Sequence, residues 1–160
     1  MINFYPYLWT FFGSMLPIIE LRGAIPVAIE KFGLSAGAAY VLAVLGCVVP
    51  ALILLKILGP VSDWLMKKSD LMRRVFTAIF DHTRRTYTNK IYKFGILLVL
   101  LVAAAPIPFL GGSWTAALVA FVFGIAYRRA ILFIFIGTAI QGLIILIGTY
   151  SFEAVWKIII

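Results

Sequence analysis

Two ionisable residues, Glu20 and Arg22, lie in an otherwise long apolar part of this sequence. Residues 1–19 carry no charge, and after Lys31 the next charged residue is Lys56. An ionisable group at the depth of a lipid bilayer costs roughly 3 kcal/mol or more, so it is seldom found there without a partner or a function. Glu20 and Arg22 therefore mark the candidate functional centre of the chain.

Helix-breaking residues surround this pair, with Pro17 before it and Gly23 and Pro26 after it. They predict that no continuous helix passes through this stretch. Because a broken backbone in lipid leaves polar groups unpaired, such a segment must be enclosed by protein or line a cavity. We interpret residues 16–26 as the tip of a re-entrant helix pair that enters and leaves the membrane on one face. One kinked span through residues 3–29 is the alternative.

The composition places the whole chain in the membrane. Of 160 residues, 64% are hydrophobic and 12% are charged, and the mean hydropathy is +1.09, whereas a soluble domain is nearer half apolar and a quarter charged. The formal charge of +8 is concentrated in residues 61–93, which carry eight basic and three acidic residues. Such a loop is typical of a cytoplasmic connection between spans, so a nucleic-acid partner is not expected.

The first 60 residues contain two short apolar pieces followed by a long one. Residues 3–15 and 24–31 are each shorter than the ~20 helical residues that span a bilayer, which suits a hairpin. Residues 34–58 are long enough to span, and their small residues favour close helix packing. We expect this span to end at Lys56 and Gly59-Pro60.

The second half repeats this order. Residues 94–127 are uncharged and are interrupted at 105–114, and a second uncharged span follows at 130–152. A shift of 89 residues superposes Pro17 on Pro106, Ile18 on Ile107, Leu21 on Leu110 and Gly23 on Gly112, and a shift of 91 superposes Gly33 on Gly124 and Gly46 on Gly137. We therefore predict one all-α integral membrane domain over 1–160, with repeat one at 1–60, a connection at 61–93 and repeat two at 94–160.

Charge predicts how the two repeats are oriented. Residues 61–93 mix apolar and basic positions at helical spacing, which predicts an amphipathic helix on the cytoplasmic surface. Arg128 and Arg129 also belong to the cytoplasmic side. The two spans then cross in opposite directions and the hairpins open to opposite faces, an inverted repeat that transporters use to form a midplane site. Both termini are expected outside, in a bacterial or archaeal cytoplasmic membrane.

The two breaks offer different chemistry, since the second contains no charge. We expect Ser113 to cap a half-helix whose free N–H groups, together with Arg22, form a pocket for a phosphate or carboxylate. Burial would raise the pKa of the Glu20 carboxyl and Arg22 would lower it, and a titrating Glu20 could exchange protons. The candidate substrate-binding and proton-coupling residues are Pro17, Glu20, Arg22, Gly23, Pro26, Pro106, Pro108, Gly111, Gly112 and Ser113.

A purely structural role is the alternative for these residues. Glu20 and Arg22 could pair with each other and hold the hairpin, and Gly111 and Gly112 could serve a tight turn. Gln141, a lone amide in the second span, is expected to hydrogen-bond between helices.

The remaining chemistry-bearing residues give little reason to expect an enzyme. The lone Cys47 is expected in the core and His82 in solvent, and the breaks contain no Ser/His/Asp set or metal-ligand cluster. We therefore predict no enzyme activity, no metal and no cofactor.

The string Pro17-Ile-Ile-Glu-Leu-Arg-Gly-Ala-Ile-Pro26, with Pro106-Ile-Pro and a later Gly-Ser-Trp-Thr, resembles the family of small multi-drug export proteins over essentially the whole chain. That family is similar to the DedA/VTT membrane proteins, which have paired re-entrant hairpins and are linked to lipid transport and proton-dependent phenotypes. The resemblance implies a small proton-linked transporter with Glu20 and Arg22 at the motif positions. DedA proteins carry an arginine motif in their second hairpin, whereas residues 105–115 here are uncharged.

Three functions follow from these patterns. The first is transport, coupled to protons, of an anionic or amphipathic small molecule or lipid through a site between the two tips. The second is gradient-independent lipid flipping or scrambling, and the third is a non-catalytic role in membrane assembly. Because two spans and two hairpins enclose little space, we expect a homo-oligomer, with membrane lipid and the transported molecule as the other partners.

Overall fold

The computed structural model describes the backbone of residues 4–71, 73–74, 76–77, 89–107 and 111–159. Within these ranges the regular structure is helical throughout, as predicted. The elements are α1 (Tyr5–Ser14), α2 (Glu20–Pro26), the π-helix π1 (Val27–Lys31), α3 (Ala36–Lys68), α4 (Asn89–Ala104), α5 (Ser113–Val122) and α6 (Tyr127–Ile159). Pro108 lies outside the described residues, as do residues 72, 75 and 78–88 of the predicted surface helix, whose first part, 61–68, is the end of α3.

Two of these helices are long and apolar enough to cross a membrane. They are Ala36–Lys68 and, within α6, Tyr127–Ser151. The other described helices have 16 residues or fewer, which is less than the ~20 that a span needs. The two stretches predicted as full spans are thus long apolar helices and candidate membrane spans, and in each half a pair of short helical segments precedes the long one.

The first span is longer than predicted, because Gly59-Pro60 does not end it. α3 continues through both residues to Lys68. A proline inside a helix removes one backbone hydrogen bond. The bond lost at Pro60 is the one to the carbonyl of Lys56, four residues earlier. Close to that proline, the hydroxyl of Ser62 donates to the carbonyl of Gly59 at 2.8 Å within the same helix.

The chain reverses direction at residues 15–19. Beyond this turn, Leu21 packs with Cys47, and Ala28 packs with Ala39. Later residues of the α2–π1 segment therefore pack against earlier residues of α3, so this segment runs antiparallel to α3.

Gly23 and Pro26 do not interrupt the helix, contrary to prediction. Both lie within α2, which continues into π1. A π turn accommodates the irregular bonding after a proline, and here the N–H of Phe32 donates to the carbonyl of Val27 at 3.2 Å. Between Tyr5 and Lys31, the helical structure is interrupted only at residues 15–19, around Pro17.

The two long helices also run antiparallel. The Lys56 ammonium lies 5.8 Å from the Tyr127 ring centroid, near the start of α6. Near the start of α3, the Tyr40 hydroxyl donates to the carbonyl of Ala139 at 3.0 Å. The two helices therefore form one pair that the short helices pack against.

Two glycines that the 91-residue shift superposes occupy equivalent places. A Cβ on Gly46 in α3 would meet the Phe11 carbonyl and the Ser14 hydroxyl at the end of α1. A Cβ on Gly137 in α6 would meet Leu100 and Ala103 near the end of α4. In each half, a glycine ten residues into the long helix lets the end of a short helix approach its backbone.

The turns that lead into the long helices are also alike. Gly33 precedes α3 with φ +65°, and Gly124 precedes α6 with φ +62°. A left-handed conformation favours glycine because a Cβ there is strained. The glycine pairs in the sequence therefore correspond to matching turns and matching helix contacts.

Candidate functional site

The two breaks contact each other although about 90 residues separate them. The indole N–H of Trp114 donates to the carbonyl of Met15 at 3.1 Å. The Arg22 guanidinium donates from Nη2 to the carbonyl of Ile107. A side chain from each half of the chain thus donates a hydrogen bond to a backbone carbonyl in the break of the other half. We call the contact region of Glu20, Arg22, Cys47, Gly112 and Ser113 the tip cluster.

Glu20 is buried in a strained backbone conformation. The residue is 3% exposed, and its φ of +42° is the one positive value among the described residues other than glycine. Such a conformation costs about 1–3 kcal/mol and persists where surrounding structure holds it, often at functional sites. Its N–H donates to the carbonyl of Leu16 at 2.9 Å, which closes the turn.

The Glu20 carboxylate lies against Gly112, at the N-terminal end of α5. A Cβ built on Gly112 would come within 3.0 Å of both carboxylate oxygens and the carboxylate carbon. Gly112 also has φ +102° and ψ −179°, a region restricted to glycine. A helix N-terminus carries partial positive charge and favours an anion. In this structure the anion at that place is the chain's own carboxylate.

Arg22 connects this carboxylate to the second break. Its Nη2 lies 3.4 Å from Glu20 Oε2, and the same nitrogen donates to the Ile107 carbonyl. The buried Nε has no hydrogen-bond partner among the described residues, and the side chain is 23% exposed. The guanidinium therefore retains capacity for a further anionic group.

The second break differs from the predicted anion loop in two ways. Gly112, not Ser113, occupies the N-cap position of α5 and Ser113 is the first helical residue. The N–H groups of Gly111 and Gly112 are already used, donating to the carbonyls of Ile107 and Val102 at 3.0 and 2.9 Å. These glycines close the second break, so any anion must meet the following N–H groups of α5 instead.

Cys47 is a member of the tip cluster that the sequence did not indicate. Its Sγ lies 3.3 Å from the Ser113 hydroxyl, and both residues are fully buried. Cys47 directly follows Gly46, the glycine at which the end of α1 contacts α3. This neighbouring glycine is the one sequence signal that could have indicated that Cys47 lies near a break. The expected core location is correct, but the contact with the second break depends on the fold.

Gln141 borders the second break from α6. Its Nε2 donates to the carbonyl of Ala105 at 3.3 Å, so the amide holds the break and not another helix. A Cβ on Gly111 would meet the same carbonyl. Gln141 therefore lies next to the tip cluster, on the Ala105 carbonyl that also borders Gly111.

The other candidate site residues lie around the cluster without a polar contact to it. Pro17 and Pro106 are exposed in the two breaks, and Pro26 lies two turns from Glu20 at the end of α2. A Cβ on Gly23 would come within 2.8 Å of the Ile19 side chain, so this glycine serves packing at the turn.

In the described residues, one cavity lies apart from this site and no metal-ligand cluster is found. In the described parts of the chain, no group of three or more His, Cys, Asp or Glu side chains is placed to bind a metal. A cavity of about 340 Å³ lies between α3 and the turn before α6, and Asp63, Phe121 and Tyr127 are among its lining residues. It does not include any residue of the tip cluster.

Comparison with known proteins identifies the family. A sequence model of the family described as "Putative small multi-drug export protein" matches residues 20–144. No curated protein and no solved structure matches the chain. The matched region begins at Glu20, contains all of α3, and includes α6 as far as Ile144. The chain is a membrane protein and belongs to the small multi-drug export protein family.

Proposed function

We propose that the short helices form two re-entrant hairpins related as an inverted repeat. The end of α1, next to the first break, contacts α3 at Gly46, ten residues from the start of α3. The end of α4, next to the second break, contacts α6 at Gly137, ten residues from the start of α6. Ten helical residues correspond to about 15 Å, half of a hydrocarbon core of about 30 Å. Because α3 and α6 are antiparallel, the hairpins enter from opposite faces and meet at the midplane. This packing favours hairpins over one kinked span.

The proposed orientation places residues 67–68 in the cytoplasm and both termini outside. Cysteines introduced singly at Lys31, Lys67 and Ser151, all exposed, would be tested in a Cys47→Ser background. In right-side-out spheroplasts an impermeant maleimide is expected to label positions 31 and 151 and not 67. Ser35 is avoided because its side chain accepts the N–H of Ala38 and caps α3. Labelling at 67 with protection at 31 would reverse the orientation.

We further propose that a second copy covers the breaks. Leu16, Pro17 and Ile18 are exposed in the first break, with Ile18 80% exposed, and Pro106 and Ile107 are exposed in the second. Broken backbone at bilayer depth must be enclosed by protein. In the same cysteine panel, Ile18→Cys is therefore expected to form a disulfide-linked dimer in membranes on mild oxidation. Crosslinking no greater than at Lys31→Cys would contradict this interface.

We propose that the protein is a secondary transporter, coupled to protons, for an anionic or amphipathic small molecule or lipid. The observation that carries this proposal is the Glu20 carboxylate, which lies against the α5 N-terminus and 3.4 Å from Arg22 Nη2. The positive charge of Arg22 and of the α5 N-terminus, where the two halves meet, is thus balanced by the Glu20 carboxylate, which one proton can neutralise. Inverted-repeat transporters bind their substrates at such half-helix ends.

Protonation and anion binding are linked in this proposal. When Glu20 is ionised, it competes with any other anion for Arg22 and the helix end. When Glu20 binds a proton, its negative charge is lost, and Arg22 and the α5 N-terminus become available to the substrate. Proton and anion therefore bind together and cross in the same direction. Binding should tighten as the pH falls, by up to about tenfold per pH unit for one linked proton.

Arg22→Gln tests the anion site directly. A thermal-shift screen in detergent, over small anions and short-chain lipid phosphates, first selects a ligand that stabilises the wild type. Arg22→Gln is expected to weaken its binding about 10- to 100-fold, since a hydrogen bond to a charged group contributes about 1.5–3 kcal/mol. Arg128→Gln, the same change at an exposed residue of α6, is the control and should bind as the wild type does.

Two results would lead to another function. Equal binding by Arg22→Gln and the wild type would remove the anion site. Lipid movement in liposomes that is independent of any gradient, with intact anion binding, would instead support a flippase or scramblase.

A further inference from the structure

Gln141 has a buried acceptor that its structural contact does not use. The residue is 0% exposed, and its Nε2 donates to the Ala105 carbonyl. That bond determines which way the amide faces, because a carbonyl accepts only from the nitrogen. The Oε1 atom then has no hydrogen-bond partner among the described residues.

The other buried polar side chains of α6 behave differently. Thr138, one turn before Gln141, donates to the carbonyl of Ile134 at 2.7 Å, and Thr149 donates to that of Ile145 at 2.9 Å. Both hydroxyls are satisfied within their own helix. A buried acceptor without a partner loses free energy relative to an apolar side chain of the same size. The hydrogen bond to the Ala105 carbonyl therefore accounts for the buried Nε2 of Gln141 and leaves its buried Oε1 unexplained.

The position of Gln141 relates this acceptor to the site. Ala105 contacts Gly111, and the adjoining Gly112 contacts the Glu20 carboxylate. On the same short segment, Arg22 binds the Ile107 carbonyl and leaves its buried Nε unpartnered. The two side chains that hold residues 105–107 thus each keep one unused polar atom, a donor on Arg22 and an acceptor on Gln141.

We propose that Gln141 Oε1 accepts a hydrogen bond from an O–H group that reaches the second break. Water supplies such a group, and so does a protonated oxyanion such as dihydrogen phosphate. Gln141 then recognises the hydrogen-bond donor of the ligand, whereas Arg22 recognises its charge. Where the ligand supplies the O–H group, this assignment rests on the proposed function and adds a ligand-binding residue from the second half of the chain to the proposed site.

Gln141 is the only glutamine in the chain, which makes the proposal directly measurable. Full-length protein made by cell-free synthesis with [5-¹³C]glutamine, in lipid bilayers, would show one labelled side-chain carbonyl band in the infrared. A hydrogen-bonded carbonyl absorbs at lower frequency than a free one. Labelled glutamine amide in water and in a dry apolar solvent supplies the two reference positions, and Gln141→Leu prepared identically identifies background.

Each outcome decides the proposal. A low-frequency band without added anion shows that water is the donor. A high-frequency band that moves down with phosphate and not with sulfate, which has no O–H group at neutral pH, shows that the ligand is the donor. A high-frequency band in all three conditions overturns the assignment. The band without anion does not depend on transport, so this result and that of the Arg22 experiment are independent.

Discussion

In proteoliposomes, Glu20→Gln is expected to abolish anion uptake driven by a pH gradient and to leave exchange of anion across the membrane partly intact. The amide keeps the size and shape of the carboxyl group, which the contact with Gly112 requires. It binds no proton at physiological pH and carries no charge to compete for Arg22. Anion binding should therefore become independent of pH in the variant, and at neutral pH it should be at least as tight as in the wild type.

The control for this change is Glu30→Gln, the same substitution at an exposed residue of π1. We expect gradient-driven uptake by Glu30→Gln to equal that of the wild type. Uptake would be measured with the ligand found by thermal shift, once with an imposed pH gradient and once under equal pH with anion on both sides. Gradient-driven uptake by Glu20→Gln at the wild-type rate would exclude this carboxylate as the proton carrier.

Gly112→Ala is expected to have the second large effect, on both stability and binding. Its φ of +102° is strained for any residue with a Cβ, at about 1–3 kcal/mol. The added methyl group would also overlap the buried carboxylate of Glu20. We expect a lower melting temperature in detergent and loss of anion binding, because the carboxylate must move or the two breaks must separate.

A double variant separates these two causes. In Glu20→Ala the carboxylate is absent, so adding Gly112→Ala should cost only the backbone strain, and the two substitutions should not be additive. Gly37→Ala, where nothing lies within 4 Å of the new methyl group, is the control and should leave the melting temperature unchanged or slightly higher. Equal melting temperatures for Gly112→Ala and the wild type would contradict the contact between the breaks.

Prediction from the sequence was accurate where long runs of one chemical character decide the outcome. Uncharged stretches of more than 20 residues can bury their backbone polar groups only by forming helices, so α3 and α6 follow from hydropathy alone. Local breakers were less reliable. Pro17 lies in the turn that interrupts the helical structure, but Pro26 ends α2, which continues into π1, and Pro60 lies within α3. A proline removes only one backbone hydrogen bond, so the rest of a long helix can continue through it.

The sequence alone established the helical class, the two long helices and the two breaks, and it marked Glu20 and Arg22 as the charged pair between prolines. It also paired Gly33 with Gly124 and Gly46 with Gly137, since backbone that needs glycine restricts the residue type locally. The tertiary structure decided what each break contacts. Glu20 against Gly112, Arg22 on the Ile107 carbonyl, Cys47 beside Ser113 and Gln141 on Ala105 join residues 36 to 92 positions apart. Such contacts have no local periodicity, because they arise only when two antiparallel helices bring the breaks to the same depth.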